Sequence, residues 1–151
     1  MNTQTLKIEI PKGFEIASCD LKSGEIKFKE KPKDFCQRIL TDEDVLADNN
    51  HTWNSFNEWC KGLRDYEKAD RFLELLHKSA NGDWIPDFDN ENEYKYRPWF
   101  LGGSRGFRCG DYGRWCSTSH VGSRLCFKEK QHAVHAGEKF TKWFKQSIIL
   151  K

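Results

Sequence analysis

The alternation of apolar and polar residues predicts β structure at the start of the chain. Residues 5–10, TLKIEI, alternate in the way that a half-buried strand does. FEIASC and EIKFKE then flank the turn residues DLKSG, which predicts a β-hairpin with Gly24 in its turn. Pro32 closes this segment, so residues 1–32 are expected to form a β-hairpin unit.

Helical spacing replaces this alternation in residues 33–82. Thr41 together with Asp44 is a capping signal before the apolar residues VLA. A second short helix follows, for which either Asn50 or Thr52 can provide the cap. We therefore expect two short helices before the longer one described next.

Two segments carry a continuous apolar stripe at helical spacing. The first runs from 65 to 79 and ends at Asn81-Gly82. The second runs over residues 129–150 and carries lysines on its other side. The two stripes consist of Tyr66, Ala69, Phe72, Leu73 and Leu76 in the first helix, and Ala133, Ala136, Phe140, Trp143, Phe144 and Ile148 in the second.

Residues 83–128 form a segment of loops and strands. An acidic loop over 83–93 leads into the strand YKYRPWF, where Pro98 favours an edge position. A glycine-rich loop follows, and 122–128 alternates as a last strand. We expect contacts with a partner to come from this segment.

These elements predict an α+β fold in a single domain of 151 residues. One small antiparallel sheet, built from the N-terminal hairpin, 94–100 and 122–128, is expected to pack against two main helices. Those helices are 65–79 and the C-terminal helix within 129–151. The glycine-rich loop region precedes the last strand.

The charge is distributed unevenly although the whole chain carries only +2. Residues 41–96 carry a net −8, and residues 97–151 carry a net +8, counted from their Lys, Arg, Asp and Glu residues. Attraction between these two segments within the fold is one interpretation. The other is that the C-terminal third faces an anionic partner.

The N-terminus, MNTQTLKIEI, lacks the apolar core of a signal peptide, and no apolar run approaches the length of a membrane span. We therefore expect a cytoplasmic protein, with no membrane partner and with its six cysteines reduced.

Residues 97–128 are the richest in side chains that make intermolecular contacts. They contain five arginines, six aromatic residues and six glycines, and Asp111 is their only acidic residue. Arginine offers a planar fork of donors, and aromatic rings offer rigid contact area. Trp99, Phe100 and Phe127 are expected in the core. The predicted contact residues are Arg105, Phe107, Arg108, Tyr112, Arg114, Trp115 and His120.

Three other chemistries have candidate residues but lack complete motifs. The zinc-ligand types Cys109, Cys116, His120, Cys126, His132 and His135 occur without the short paired spacing of zinc ribbons. Asp87, Asp89, Glu91 and Glu93 alternate, but the central glycine and terminal acid of an EF-hand loop are missing. The neighbouring Cys116, Ser117, Ser119 and His120 lack a nucleophile-elbow pattern. We expect no cofactor and no enzyme, with a metal- or thiol-dependent enzyme as the third-ranked alternative.

The pattern GGS…C…W…S…VGSRLCF resembles the end of a C-type-lectin-like domain of the formylglycine-enzyme or retroelement-diversified type. Gly102, Gly103 and Ser104 match its turn, and Gly122, Arg124 and Leu125 match its closing strand. This resemblance covers about a fifth of the chain, and it implies a variable surface between turn and strand that binds a target.

Most of the chain also resembles a group of small proteins of gut Bacteroidota and their phages. The resemblance rests on KIEIPKGFEI, NGDWIPDFDNENEYKY and GSRLCFK…AGEKF. It implies a phage or prophage origin, and thus the cytoplasm of the host cell as the location.

The leading hypothesis is a non-catalytic phage-type binding protein whose Arg/aromatic, glycine-rich face contacts a host protein, a glycan or an anionic small molecule. The alternative is a binder or sequestering protein for a phosphorylated ligand, either a signalling nucleotide or single-stranded nucleic acid. Apolar residues near the end of the C-terminal helix also predict a homodimer through that end. They are Trp143, Phe144, Ile148, Ile149 and Leu150.

Overall fold

The computed structural model describes residues 7–31, 33–118 and 124–149. Within these ranges it contains two antiparallel sheets of two strands each and six helices, which confirms the α+β class. The single predicted sheet is instead two separate ones. The chain divides into two compact units, the first ending at Asp34 and the second beginning at Phe35. That all 151 residues act as one domain stays a prediction.

The N-terminal unit contains the predicted hairpin. Its strands are β1 (Phe14–Asp20) and β2 (Glu25–Glu30). The Asp20 carboxylate accepts a hydrogen bond from the Lys22 amide at 2.8 Å, and Gly24 takes the left-handed conformation with φ 71°. The predicted strand at 5–10 is wrong in its described part, because residues 7–10 are exposed and form no strand.

Four helices open the second unit, and the predicted caps are correct. Thr41 forms a capping box with Asp44, and Thr52 forms one with Ser55. The left-handed Gly82 ends the longest helix, as predicted from Asn81-Gly82. The helices are α1 (Phe35–Arg38), α2 (Asp42–Asp48), α3 (Trp53–Trp59) and α4 (Asp65–Asn81).

The predicted C-terminal helix is wrong as a single element, because it breaks at Phe140. Two helices, α5 (Lys130–Lys139) and α6 (Thr141–Ile148), replace it. Phe140 has φ −113° and ψ 24°, outside the helical range, and its ring is buried. The break allows α5 to pack against the second sheet while α6 packs against α4.

Stacked aromatic rings form the centre of the core between α4 and α6. Phe72 and Trp143 stack with ring centroids 4.1 Å apart and planes 10° apart. Phe56 meets both rings edge-on, and the Trp143 indole donates to the Asp42 carboxylate at 3.1 Å. Trp143 and Phe144 are thus buried within the chain, so Ile148 and Ile149 are the exposed described residues of the predicted dimer surface. Leu150 lies outside the described residues. The dimer itself stays a prediction.

The second sheet pairs β3 (Lys95–Leu101) with β4 (Arg108–Trp115). The prediction of a glycine-rich loop between the strand YKYRPWF and the strand at 122–128 is therefore wrong over β4. Of the predicted strand at 122–128, the described part contributes one antiparallel bridge, in which Phe127 and Tyr96 exchange two backbone hydrogen bonds of 2.7 and 2.9 Å. No helix in the described part of the chain has the length and apolar character needed to cross a membrane.

Helix α5 approaches this sheet at a glycine. A Cβ atom at Gly137 would lie 2.5 Å from Cys109 Sγ and 2.6 Å from Pro98 Cβ. Side chains on both strands therefore occupy the space that an alanine methyl group would need. The close contact between helix and sheet requires Gly137.

We expect Gly137→Ala to destabilise the protein, although the same change at a free helical position would stabilise it by up to about 1 kcal/mol. The methyl group overpacks the contact with Cys109 and Pro98, which typically costs about 1–3 kcal/mol. Urea unfolding measures the difference. The control, Gln131→Ala on the exposed side of α5, should change stability by less than about 0.5 kcal/mol. Equal changes in the free energy of unfolding for the two substitutions would contradict the close approach of α5 to the second sheet.

A buried histidine connects α4 to the residue that bridges the sheet. The His77 ring lies 4.2 Å from the Phe127 ring between centroids, and its Nδ1 is 2.6 Å from the Leu73 carbonyl oxygen. Burial lowers the pKa of His77 to about 4. Between about pH 4 and pH 6.5 the His77 imidazole is therefore neutral in the folded protein and protonated in the unfolded chain.

Because the pKa of His77 is lower in the folded state, we expect the free energy of unfolding to fall as pH decreases from 6.5 towards 4. The loss can reach about 3 kcal/mol, since each pKa unit corresponds to about 1.4 kcal/mol. Urea unfolding between about pH 6.5 and 4.5 measures it before most carboxylates titrate. His77→Phe retains a ring over Phe127 and should flatten the curve. Parallel curves for both proteins would exclude His77 as the source.

Candidate functional site

The strand register gives the β3–β4 hairpin two different faces. Tyr96, Pro98 and Phe100 alternate with Arg97, Trp99 and Leu101 along β3. On β4 the alternation shifts at Gly110, because Trp99 pairs with Asp111 but Phe100 pairs with Cys109. We call the face away from α5 the outer face. It consists of Arg97, Trp99, Leu101, Arg108, Asp111 and Trp115, with the buried Lys95 opposite Trp115 at its end. The inner face consists of Tyr96, Pro98, Phe100, Cys109, Tyr112 and Arg114.

An arginine lies between two tryptophans at the centre of the outer face. The Arg97 guanidinium carbon is 5.3 Å from the Trp99 ring centroid and 5.6 Å from that of Trp115. A Cβ at Gly113 would lie 3.5 Å from Arg97 Nε and 3.6 Å from Trp99 Cε3, so both side chains lie across this glycine. Contacts with both rings thus hold the Arg97 guanidinium over the outer face.

Apolar side chains of the outer face remain in contact with solvent. Trp99 is 50% exposed and Leu101 is 40% exposed. Leu101 lies over Gly110, since a Cβ there would be 2.5 Å from Leu101 Cδ1. Exposed aromatic area next to arginine is the composition that interfaces favour.

The structure separates the predicted contact residues. Arg108 and Trp115 lie on the outer face, whereas Tyr112 and Arg114 lie on the inner face. Phe107 stacks on Phe100 at 4.8 Å between ring centroids, and Arg105 is exposed in the turn between the strands. His120 lies outside the described residues. Only some of the predicted contact residues therefore lie on the same face of the hairpin.

Sequence reasoning missed two central residues of the outer face. Trp99 was expected in the core and is instead half-exposed, whereas Phe127 is fully buried as expected. Arg97 was not among the predicted contacts. Period-two alternation through YRPWFL would have placed Arg97 and Trp99 on one face, opposite Phe100.

A second group, which we call the tyrosine cluster, lies at the edge of the inner face. Arg114 Cζ lies 4.9 Å from the Tyr94 ring centroid, and Lys130 Nζ lies 4.4 Å from that of Tyr112. Tyr96 connects them, with centroids 6.4 Å from Tyr94 and 5.9 Å from Tyr112. Three phenol rings thus connect two cations.

The acidic loop folds around a buried ammonium group. Lys95 is fully buried, and its Nζ donates to the Glu93 carboxylate at 3.1 Å, to the Glu93 carbonyl at 3.0 Å and to the Asp87 carbonyl. The Glu93 carboxylate also accepts from the Trp84 indole at 3.1 Å and from the Asp87 amide at 2.9 Å. Partial burial raises the pKa of Glu93, but these hydrogen bonds together hold it below its ordinary value. The Glu93 carboxylate, one of the four alternating acids, is thus engaged in structural contacts.

We expect Lys95→Met to destabilise the protein by about 1–3 kcal/mol, because Glu93 and Asp87 lose donors that water replaces incompletely. Urea unfolding followed by tryptophan fluorescence, which includes Trp84, measures the change. As a control, Lys61→Met removes one partner of the exposed Lys61–Glu58 pair and should cost less than about 1 kcal/mol. Glu93→Gln should lower the free energy of unfolding less in the Lys95→Met protein than in the wild type, because its partner is already gone. Additive losses in the double variant would contradict the interaction between Glu93 and Lys95.

Two of the candidate metal-ligand thiols are disfavoured as thiolates. Burial raises the pKa of Cys126 to about 11 and raises the pKa of Cys109 above its ordinary value. The thiolate is the form that acts as a nucleophile or metal ligand. Cys109 instead packs against Gly137.

A cavity of about 630 Å³ lies between the start of α4 and α6. Arg64 and Lys142 line it, but both have acidic partners. Arg64 donates twice to the Glu67 carboxylate at 3.0 Å, and Lys142 pairs with Asp42. Two of the positive charges at this cavity are thus balanced within the fold, and Lys145 also lines it.

Comparison of the chain with protein-family models, curated proteins and solved structures finds no match.

Proposed function

We propose that this protein is a non-catalytic binding protein that contacts a protein partner through the outer face. The position of Arg97 between Trp99 and Trp115 is the observation that carries the proposal. Tryptophan and arginine are the residues most enriched among those that dominate the energy of protein interfaces. Their side chains lie here on paired strands, so a partner meets them with little further ordering cost.

The geometry favours a macromolecular partner over a small molecule. Trp99 and Leu101 expose apolar area on the surface of a two-stranded sheet. Arg97 and Arg108 add positive charge, opposed on this face by Asp111. An exposed face of this composition suits a partner with an apolar patch bordered by acidic residues.

The resemblances described from the sequence support a narrower form of this proposal. A phage-type protein in the cytoplasm of a host cell would use the outer face to bind a host protein. The lectin-like resemblance implies a contact surface between the turn Gly102, Gly103, Ser104 and the closing strand, and Arg108 and Trp115 of the outer face lie in that interval.

We expect Trp99→Ala combined with Arg108→Ala to abolish capture of the partner from host lysate with little change in melting temperature. Trp99 is half-exposed and neither residue belongs to the buried core, so stability should change by no more than about 1 kcal/mol. The measurement is quantitative mass spectrometry of proteins retained by the wild type and by the variant, alongside thermal unfolding.

Ile85→Ala is the matched control, because Ile85 is 81% exposed and lies in the acidic loop rather than on the outer face. It should retain the same proteins as the wild type. Equal retention by the double variant would refute the proposal. A partner lost as salt rises from about 50 to 200 mM would depend mainly on charge, whereas an aromatic interface should respond mildly.

A further inference from the structure

The tyrosine cluster, defined above as Tyr94, Tyr96, Tyr112, Arg114 and Lys130, is a second candidate site separate from the outer face. Arg114 and Tyr112 are inner-face residues of β4, and Lys130 is the first residue of α5. These side chains come from three consecutive elements of the second unit and from the residue that precedes β3.

Both cations in the tyrosine cluster are held by aromatic rings and not by acids. The ion pairs among the described residues include neither Arg114 nor Lys130. Asp111, the acidic residue of β4, lies on the opposite face of the hairpin, because it pairs with Trp99. Ring contacts orient the two charges without neutralising them.

The arrangement of charges and rings fits phosphate groups attached to a planar base. Arg114 can offer a fork of donors to one phosphate and Lys130 a point charge to another. The tyrosine hydroxyls can donate further hydrogen bonds. Tyr94 is 46% exposed, so its ring can also stack on a base.

We propose that the tyrosine cluster binds nucleotide phosphates through Arg114 and Lys130, with Tyr94 as the stacking ring. The nucleotide is either free or part of a single strand, since both present the same phosphates and bases. This site does not depend on protein binding by the outer face, and it gives a location to the phosphorylated-ligand alternative.

The test uses the full chain with three probes: inorganic phosphate, ADP and a fluorescent single-stranded DNA of about ten nucleotides. Calorimetry measures the first two and fluorescence anisotropy the third, at about 50 mM salt. Arg114→Gln combined with Lys130→Gln should weaken ADP and strand binding at least about tenfold. Tyr94→Ala should weaken ADP binding and leave phosphate binding nearly unchanged.

Arg105→Gln combined with Lys139→Gln is the matched control. It removes the same charge from the same hairpin and helix, and all four residues are exposed, so both variants should retain the wild-type melting temperature. The control should change affinity by less than about twofold. The outer-face variant Trp99→Ala/Arg108→Ala should bind ADP as the wild type does, which separates this proposal from the previous one.

The relative affinities identify the source of the nucleotide. A strand that binds at least about tenfold more tightly than ADP indicates single-stranded nucleic acid, and similar affinities indicate a free nucleotide. Equal weakening by the cluster variant and its control would show general charge attraction and overturn the proposal. A lack of ADP and strand binding by the wild type would overturn it as well.

Discussion

The second sheet depends on how the chain accommodates one buried ammonium group. Lys95 begins β3 and is completely excluded from solvent. A buried charge is stable only where its donors are satisfied, and Glu93 with the Asp87 carbonyl provides that satisfaction. The Glu93 carboxylate of the acidic loop therefore has a structural role. The contacts between this loop and Lys95 hold the first residue of β3 in place.

The inner face of the hairpin packs against α5, and the outer face is available for contacts with a partner. Glycines on α5 and β4 lie at these two faces. Gly137 lets α5 reach the inner face, where Cys109 and Pro98 fill the space. Leu101 occupies the space beside Gly110, where a Cβ would lie 2.5 Å from its Cδ1, and Arg97 and Trp99 lie in van der Waals contact across Gly113. The same two strands consequently supply part of the core on one side and ordered aromatic area on the other.

The sequence was informative wherever local chemistry determines the structure. Caps at Thr41 and Thr52 and the end of α4 at Gly82 follow from side-chain and backbone preferences within a few residues. The break at Phe140 could not be seen, because the apolar stripe continues through it and tertiary packing decides it. Strand β4 was missed because glycines weaken a strand pattern, although Gly110 here makes room for Leu101.

The register shift at Gly110 has a consequence for the chemistry of the protein surface. If the alternation continued unbroken through Gly110, Cys109 would be carried to solvent and Arg108 would be turned towards α5. An oxidisable thiol would then replace a guanidinium among the tryptophans, and a cation would lose its hydration against a helix. A single out-of-phase residue thus keeps the Cys109 thiol against α5 and the Arg108 guanidinium on the outer face.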